Sequence, residues 1–378
     1  KMYKVRKKLD GILKKLKIPQ NIRINLLKLG IIEDREEINE SNAFELLEKV
    51  HKAPVYNSLS KLDISVNSEL DLSIIVPTYN EELYINDCLS SLINQDTKYN
   101  YEILVVNDGS TDHTLNEVMK YKNNGLVKII DKDNGGISSA RNAGLANSQG
   151  RYISFVDSDD IVEPNFVESL VSIAEREDAD IVQGNYQILG DLEKRQPEKP
   201  KVIEVKPFIS LYGYPWGKIY KSDLFNNVKF PENFWFEDTM MMYRIWPKAN
   251  LVYSISNVIY NYRITSNGAT GVSHGNKKSL ESLYITMQLL LDYKKVYKNN
   301  EFTMNIYEFT LKQMVMNFNR VNFLENKLLY ASFLVMSRII NNYFPDQKFK
   351  TNDDKLKILE ESFRKENYGL FVAYCLDN

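Results

Sequence analysis

The sequence predicts an α/β protein with a Rossmann-like sheet, and two observations carry the prediction. Between Leu72 and about Asn267, short β-branched apolar runs alternate with helix-patterned segments, the signature of strands linked by crossover helices. Three of those runs stop where polar or acidic residues begin, so Asn107-Asp108-Gly109-Ser110 and Asp157-Ser158-Asp159-Asp160 would collect at the carboxyl edge of one sheet. Open α/β sheets bind their ligands at that edge.

In chain order, residues 1–70 read as a helical appendage and linker. Val5, Leu9, Ile12, Leu13 and Leu16 recur at helical spacing among Lys4, Lys7, Lys8, Lys14, Lys15 and Lys17, a basic amphipathic helix. Two readings stand: peripheral contact with an anionic membrane surface, or packing on the protein's own body. Residues 31–50 turn acidic and helix-like, and residues 53–70 read as a linker. The catalytic region, 71–274, opens with strands at Ser73–Pro77, Glu102–Val106 and Tyr152–Val156, β-branched and buried on both faces. Helices are expected at Asp87–Ile93, Thr111–Lys122 and Ser138–Ala146, the last opened by Gly135-Gly136. From about Lys277 the period becomes wholly helical (Leu280, Leu283, Met287, Leu290, then Phe309–Phe323 and Leu328–Ile340), so 275–378 is a helical subdomain whose Met, Phe and Tyr residues read as packing core. An acceptor, a partner subunit or a second copy of the chain are its candidate partners.

Bulk properties narrow the function. With 48 Lys and Arg against 50 Asp and Glu the net charge is −2, which gives no reason to expect nucleic acid as a partner. Two cysteines, Cys88 and Cys375, make neither a disulfide framework nor a thiolate metal site and fit a cytoplasmic setting. No apolar run reaches the roughly 18 to 20 residues that span a bilayer.

The chemistry lies in the acidic stops. Asp157 and Asp159 follow a buried strand directly, placing two carboxylates on one loop, and hard oxygen ligands of that kind suit Mg²⁺ or Mn²⁺ shared with a diphosphate. At Pro77-Thr78-Tyr79-Asn80-Glu81, Pro77 is expected to stop the strand and Tyr79 to lie beneath a base or ribose; the plainer reading is a strand-to-helix turn. Asp108 is an acceptor for an imide N–H of uracil or, more simply, part of a turn and helix cap.

As a set, Ser73 to Glu81, Val106 to Asp112, Asn134-Gly135-Gly136 with Ser139 to Gly144, and Tyr152 to Asp160 resemble the inverting family 2 glycosyltransferases of the GT-A fold, in the bacterial cell-surface polysaccharide, teichoic acid or glycoprotein class. The resemblance covers residues 72–265. It implies a mixed central sheet flanked by helices, with Pro77, Tyr79, Glu81 and Asp108 in the nucleotide pocket and Arg141 near base or phosphates. It further implies Asp157 and Ser158 at the ribose or metal, Asp159 as chief metal ligand, and Arg263 as an anion contact in a late loop with Ser266-Asn267-Gly268. In Phe236-Glu237-Asp238 it implies a base, Asp238, with Glu237 as orienting neighbour or alternative; burial among Phe234, Trp235 and Met240 to Met242 would favour basicity.

Trp216, in Pro215-Trp216-Gly217-Lys218-Ile219-Tyr220, offers a sugar-stacking face or is simply buried, and Gln183 is placed at donor or acceptor hydroxyls. His274 is a further candidate metal ligand. The expected reaction is transfer of a sugar from a nucleotide diphosphate, most naturally UDP-linked, to a saccharide, polyol-phosphate, lipid-linked or glycoprotein acceptor, with a divalent metal. The competing readings are a nucleotidyltransferase, which should carry a Gly-rich basic triphosphate loop where Pro77 to Glu81 stand, and a non-catalytic nucleotide-sugar-binding scaffold.

Overall fold

The computed structural model describes residues 2–18, 20–27, 38–55, 62, 64–190, 201–265, 275–296 and 302–377. The chain divides into two compact units, residues 55–266 and a second made of 1–54 with 267–378. Residues 1–54 are thus no free-standing appendage. Helices Met2–Lys15, Gln20–Leu27 and Glu40–Val50 pack with the C-terminal helices, because Ile24, Leu27, Ala43 and Leu47 need apolar partners that only that bundle supplies.

In unit 55–266 the described strands are β1 (Leu72–Thr78), β2 (Tyr101–Asp108), β3 (Val127–Lys132), β4 (Tyr152–Phe155), β5 (Ile161–Val162), β6 (Ile181–Ile188), β7 (Val202–Glu204), β8 (Lys218–Lys221) and β9 (Val252–Tyr262). They form one mixed sheet in the order β3-β2-β1-β4-β8-β6-β9-β5, with β7 also paired to β9. β1 pairs in parallel with β2 and β4, and β2 with β3. β8 runs antiparallel between β4 and β6. Every residue of β1 and β2 is buried, as expected for strands covered on both faces.

The structure corrects the reading of Pro77. It does not stop β1, which runs on to Thr78 and stays paired with β2 through Thr78↔Asn107. Backbone groups of alternate residues face alternate neighbours, and Ile75 O accepts from Val156 at the end of the β4 pairing. Pro77 therefore turns its missing N–H to the side where no strand remains, and the ladder loses nothing.

Helix Gly136–Asn147 lies across β1 and β2. The approach is close enough that a Cβ at Gly144 would sit 2.4 Å from Ile75 Cγ2, so only glycine allows this helix to seat on the sheet. That seating aims its first turns at the carboxyl edge. Among the described residues no helix is long and apolar enough to cross a membrane.

Candidate active site

Two loops leave the carboxyl ends of β1 and β2 and are stitched to each other. Asn80, in a left-handed conformation (φ 56°), accepts the Thr111 N–H at 2.8 Å, while its own N–H donates to Ser110 Oγ at 3.1 Å. Glu81 N–H donates to Thr114 Oγ1 at 2.7 Å, and Glu82 N–H to Asp112 at 3.2 Å. Tyr79 at the crest is 46% exposed, a ring available to a ligand. Just below it, Thr78 Oγ1 and Asn107 Oδ1, on register-paired residues, are buried with no hydrogen-bond partner. Leaving such atoms unpaired costs about 1–3 kcal/mol each, and neighbouring orphans at a sheet's carboxyl edge mark a seat for a polar ligand.

Asp108, 2% exposed, is engaged within the protein. Its carboxylate accepts from Lys132 Nζ at 2.6 Å and from the N–H groups of Gly135 (3.0 Å) and Gly136 (2.7 Å) at the start of the following helix. It closes the loop after β2 onto the start of that helix.

The loop after β4 holds the acids. Asp160 is fully buried and acts as the loop's pin: Oδ2 accepts from Tyr260 Oη at 2.6 Å and Oδ1 from the Arg263 N–H at 2.7 Å. Tyr260 Oη in turn accepts the Asp157 N–H at 3.1 Å. Burial, then Asp157, raise the Asp160 carboxyl well above its ordinary range. Asp159 is pushed up to about 6 by burial and by Asp157. Glu81, reaching the same loop from β1, is pushed up to about 7 by burial and by Asp159, Asp112 and Asp157, with Arg263 opposing. Arg263 donates Nε to Asp159 O at 2.7 Å and Nη2 to Asp87 at 3.2 Å, and lies over the Tyr84 ring. Ser158 is buried between the two metal candidates.

Arg141 joins this loop to the second acidic motif. Burial works against its charge, but Glu237 and Asp157 outweigh it, and Asp238 adds to them. Nη1 donates to Glu237 Oε1 at 2.6 Å and Nη2 to Asp157 Oδ1 at 3.2 Å, with the guanidinium against Phe230 and Phe155. At 2% exposure Arg141 is a bridge between carboxylates rather than a free phosphate contact. Next to it, Asn142 accepts the Phe230 N–H at 2.8 Å and donates to Phe230 O at 3.0 Å. One helix thus grips the segment that leads to Glu237 and Asp238 at two points. Phe236 there has φ 65°, a costly conformation for a bulky residue of the sort retained at functional turns. It sets the half-buried Glu237 and Asp238 at the mouth of a helix beginning at Thr239.

Two expectations are overturned by burial. Trp216 cannot present a face to a sugar, because it is 2% exposed and sandwiched between Tyr214 (4.7 Å, 6° between planes) and Tyr260 (4.4 Å, 8°). Gln183 is 4% exposed, and its amide accepts the Tyr212 N–H and donates to Ser210 O, so it is turned into the protein and not toward substrate hydroxyls. Ser266-Asn267-Gly268 and His274 lie outside the described residues. Sequence reasoning also missed the pin made by Asp160 and Tyr260, the closure of Asp108 by Lys132, and the grip of Asn142. Asp160 stood inside a quoted motif, but Tyr260 is 100 residues away and nothing local points to it.

Among the described residues no three acids, histidines or cysteines meet in a ready ligand cage. Glu81, Asp157 and Asp159 instead make a patch of carboxylates near enough that Asp157 and Asp159 raise Glu81 and Asp157 raises Asp159, with Asp157 also holding Arg141. Such a patch fits a hard divalent cation that completes its coordination with non-protein oxygens.

The chain matches the model of glycosyl transferase family 2 over residues 73–245. It is 31% identical over 216 residues to glycosyltransferase GlyG of Streptococcus pneumoniae, covering 52% of this chain and 71% of GlyG. To glycosyltransferase GlyA of the same organism it is 35% identical over 214 residues, 51% of this chain but only 30% of GlyA. The structure of Staphylococcus aureus TarS 1–349 in complex with UDP-GlcNAc superposes with a TM-score of 0.50 at 23% identity, over 79% of this chain and 93% of that one. The mixed sheet is that of the GT-A fold, and the chain belongs to glycosyl transferase family 2.

Proposed function

We propose that the protein is a metal-dependent, inverting glycosyltransferase that passes a sugar from a nucleotide diphosphate, most naturally UDP, to an acceptor hydroxyl in cell-surface glycan synthesis. One observation carries the reading: Arg141 ties Asp157 of the loop after β4 to Glu237 beside Asp238, so that the acids fit for a cation and the acid fit for a base are held in one site. TarS, of the same fold, is a protein solved with UDP-GlcNAc, which supports the donor class.

In this reading Tyr79 and the orphaned Thr78 and Asn107 oxygens receive the nucleoside beside Asp108. Asp159, with Asp157 and Glu81 near it, would hold Mg²⁺ or Mn²⁺, which offsets negative charge on a departing diphosphate. Arg263, anchored to Asp159 and Asp160, adds positive charge at the same edge. Glu237 is committed to Arg141, since protonating it would strip a buried guanidinium of a partner; Asp238, beside it at the mouth of the helix, is assigned the proton of the attacking hydroxyl. Direct attack on the anomeric carbon from the side opposite the nucleotide inverts that centre.

Asp238→Asn should bind UDP as the parent does by calorimetry while losing roughly 10²–10⁴-fold in transfer. Transfer at the parental rate would refute the base. Peripheral membrane contact belongs to the same proposal: in helix Met2–Lys15 Leu9 and Ile12 are 40% and 55% exposed, and Leu16 just beyond is 65% exposed, beside exposed Lys7, Lys8, Lys15 and Lys17, the surface an anionic bilayer attracts. Co-sedimentation with vesicles rich in anionic lipid, abolished by Leu9→Glu with Ile12→Glu, tests it.

A further inference from the structure

The turn that carries the acids is stapled at both ends by one hydroxyl. Asp160 N–H donates to Asp157 O at 3.1 Å, so residues 157–160 close a four-residue turn with Asp159 at its third position. Tyr260 Oη accepts the Asp157 N–H at 3.1 Å and donates to Asp160 Oδ2 at 2.6 Å, reaching the first and the last residue of that turn at once. The chain then runs into β5, where Val162 pairs with Tyr260 and Ile161 with Asn261, and Glu163 N–H donates to Ile259 O at 2.9 Å. The acid turn is therefore laid on the end of β9 at the very residue whose hydroxyl closes it.

Tyr260 is itself backed. It is wholly buried, and Trp216 lies flat on its ring at 4.4 Å with 8° between planes. The main chain around Trp216 is fixed as well. Gly217 has φ 67°, and a Cβ there would strike Tyr212 Oη at 2.1 Å, the hydroxyl that donates to Gly217 O at 3.0 Å. Wholly buried Lys218 donates Nζ to Tyr214 O at 2.7 Å on the other side of the indole's backbone. A fixed indole fixes the phenol ring stacked on it, and the ring fixes its hydroxyl.

The acids need such a hold. Asp157 acts on Asp159, and both act on Glu81, each as like charge on like charge, so an unrestrained turn would let its carboxylates separate. A turn held from behind keeps their oxygens gathered in advance, and a cation that enters has less ordering to impose.

From this geometry we infer that Tyr260, with Trp216 behind it, is a positioning residue for the divalent cation: its hydroxyl sets the shape of the turn 157–160 and thereby the affinity for metal-bound diphosphate. The inference rests on the transferase reading and names what tunes its cation seat. Tyr260 acts through Asp157 and Asp160, and Trp216 acts through Tyr260. The nucleoside, received by the loops after β1 and β2, is not under their control.

Calorimetry with UDP on the full chain, in Mn²⁺ and again in EDTA, tests it, together with Mn²⁺ uptake in the presence of UDP followed by loss of the free-ion EPR signal. Tyr260→Phe keeps the ring in its stack and removes the hydroxyl alone. It should weaken UDP binding in Mn²⁺ about tenfold and Mn²⁺ uptake with it, while UDP binding in EDTA stays within about twofold of the parent. Tyr152→Phe serves as the control for a hydroxyl that is merely structural. Tyr152 opens β4, the strand that leads to the same turn, and its buried Oη donates to Ala174 O at 3.2 Å; its loss should lower stability and leave both affinities within about twofold. Should Tyr260→Phe fail to fold, Trp216→Phe keeps the hydroxyl but thins its backing, and should weaken Mn²⁺-dependent binding about threefold. Parental Mn²⁺-dependent affinity in the variant that folds, an equal loss in EDTA, the same metal effect from Tyr152→Phe, or loss of the fold in both Tyr260→Phe and Trp216→Phe would each overturn the positioning role, as would UDP binding by the parent that Mn²⁺ does not change. Failure of the parent chain to bind UDP under either condition would instead sink the transferase reading, a separate result.

Discussion

Two buried charge clusters, one in each unit, differ in how their charges balance. In the helical unit Asp377, 2% exposed at its side chain, meets Arg23 Nη2 at 2.6 Å and Lys14 Nζ at 3.9 Å, while Asp10 meets Lys14 at 2.8 Å and Arg23 at 3.6 Å. Among the described residues these two acids face two bases, and the network ties the first two helices to the last one. At the sheet edge, among the described residues, Asp157, Asp159, Asp160, Glu81 and Glu237 share Arg141 and Arg263. Burial and mutual repulsion raise four of these carboxyls, Glu81, Asp157, Asp159 and Asp160, above their ordinary range, Asp157 against the pull of Arg141. A balanced cluster holds a fold together; a cluster left short of positive charge holds a place for a ligand that brings it.

The largest effect should follow from removing positive charge at a sheet edge already short of it. Arg141→Met leaves Asp157 and Glu237 facing each other in a buried site, a change of about 3–5 kcal/mol by analogy with broken buried pairs. Urea unfolding should show it, and transfer should fall with it because both acidic motifs lose their common anchor. Stability at the parental level would mean the bridge is dispensable. Arg23→Met in the helical cluster should cost about 3 kcal/mol or somewhat more, with turnover per folded molecule unchanged. A loss of turnover there, at full folding, would erase the distinction between the clusters.

Removing an acid should have opposite consequences in the two places. Asp159→Asn relieves repulsion, so the metal-free protein should melt a few degrees higher while Mn²⁺-dependent UDP binding weakens. Asp377→Asn should melt lower, since it leaves Arg23 and Lys14 to share Asp10 alone of the two acids named. The same sign at both sites would break the comparison.

How much of this was legible follows from the range of each interaction. The strands at 73–77, 102–106 and 152–156 and the helix after Gly135-Gly136 were readable because burial on both faces and helical period are local properties. So was the convergence of Asp108, Asp157 and Asp159 at one edge, which follows from strand polarity alone. The antiparallel β8 and the long β9 were not, since their partners lie far along the chain and a central strand such as Lys218–Lys221, with lysine at both ends, does not look buried. Trp216 misled for a related reason: whether an indole faces solvent or another ring depends on Tyr214 and Tyr260, and the spacing between them carries no information about stacking. The union of 1–54 with the C-terminal helices is equally non-local, for apolar stripes state that a helix needs a partner without saying which.

The smallest effect, and the one that probes the imbalance most directly, is the dependence of stability on pH. Glu81 and Asp159 have carboxyls raised in the folded state, from 4.5 to about 7 and from 3.8 to about 6. Between those limits the folded chain binds more protons than the unfolded one, so stability must fall as pH rises through the window. In EDTA the melting temperature should therefore decline from about pH 5 to about pH 7.5, with a shallower decline in Glu81→Gln and in Asp159→Asn. Both groups are partly open to solvent, and screening holds the slope to a few degrees at most. Adding Mn²⁺ should reverse the trend, because a cation competes with protons for the same oxygens and gains as they ionise. A melting temperature that stays level across this range, or falls equally in parent and variants, would show that these acids are not the ones crowded together, and the cation's place would have to be sought elsewhere.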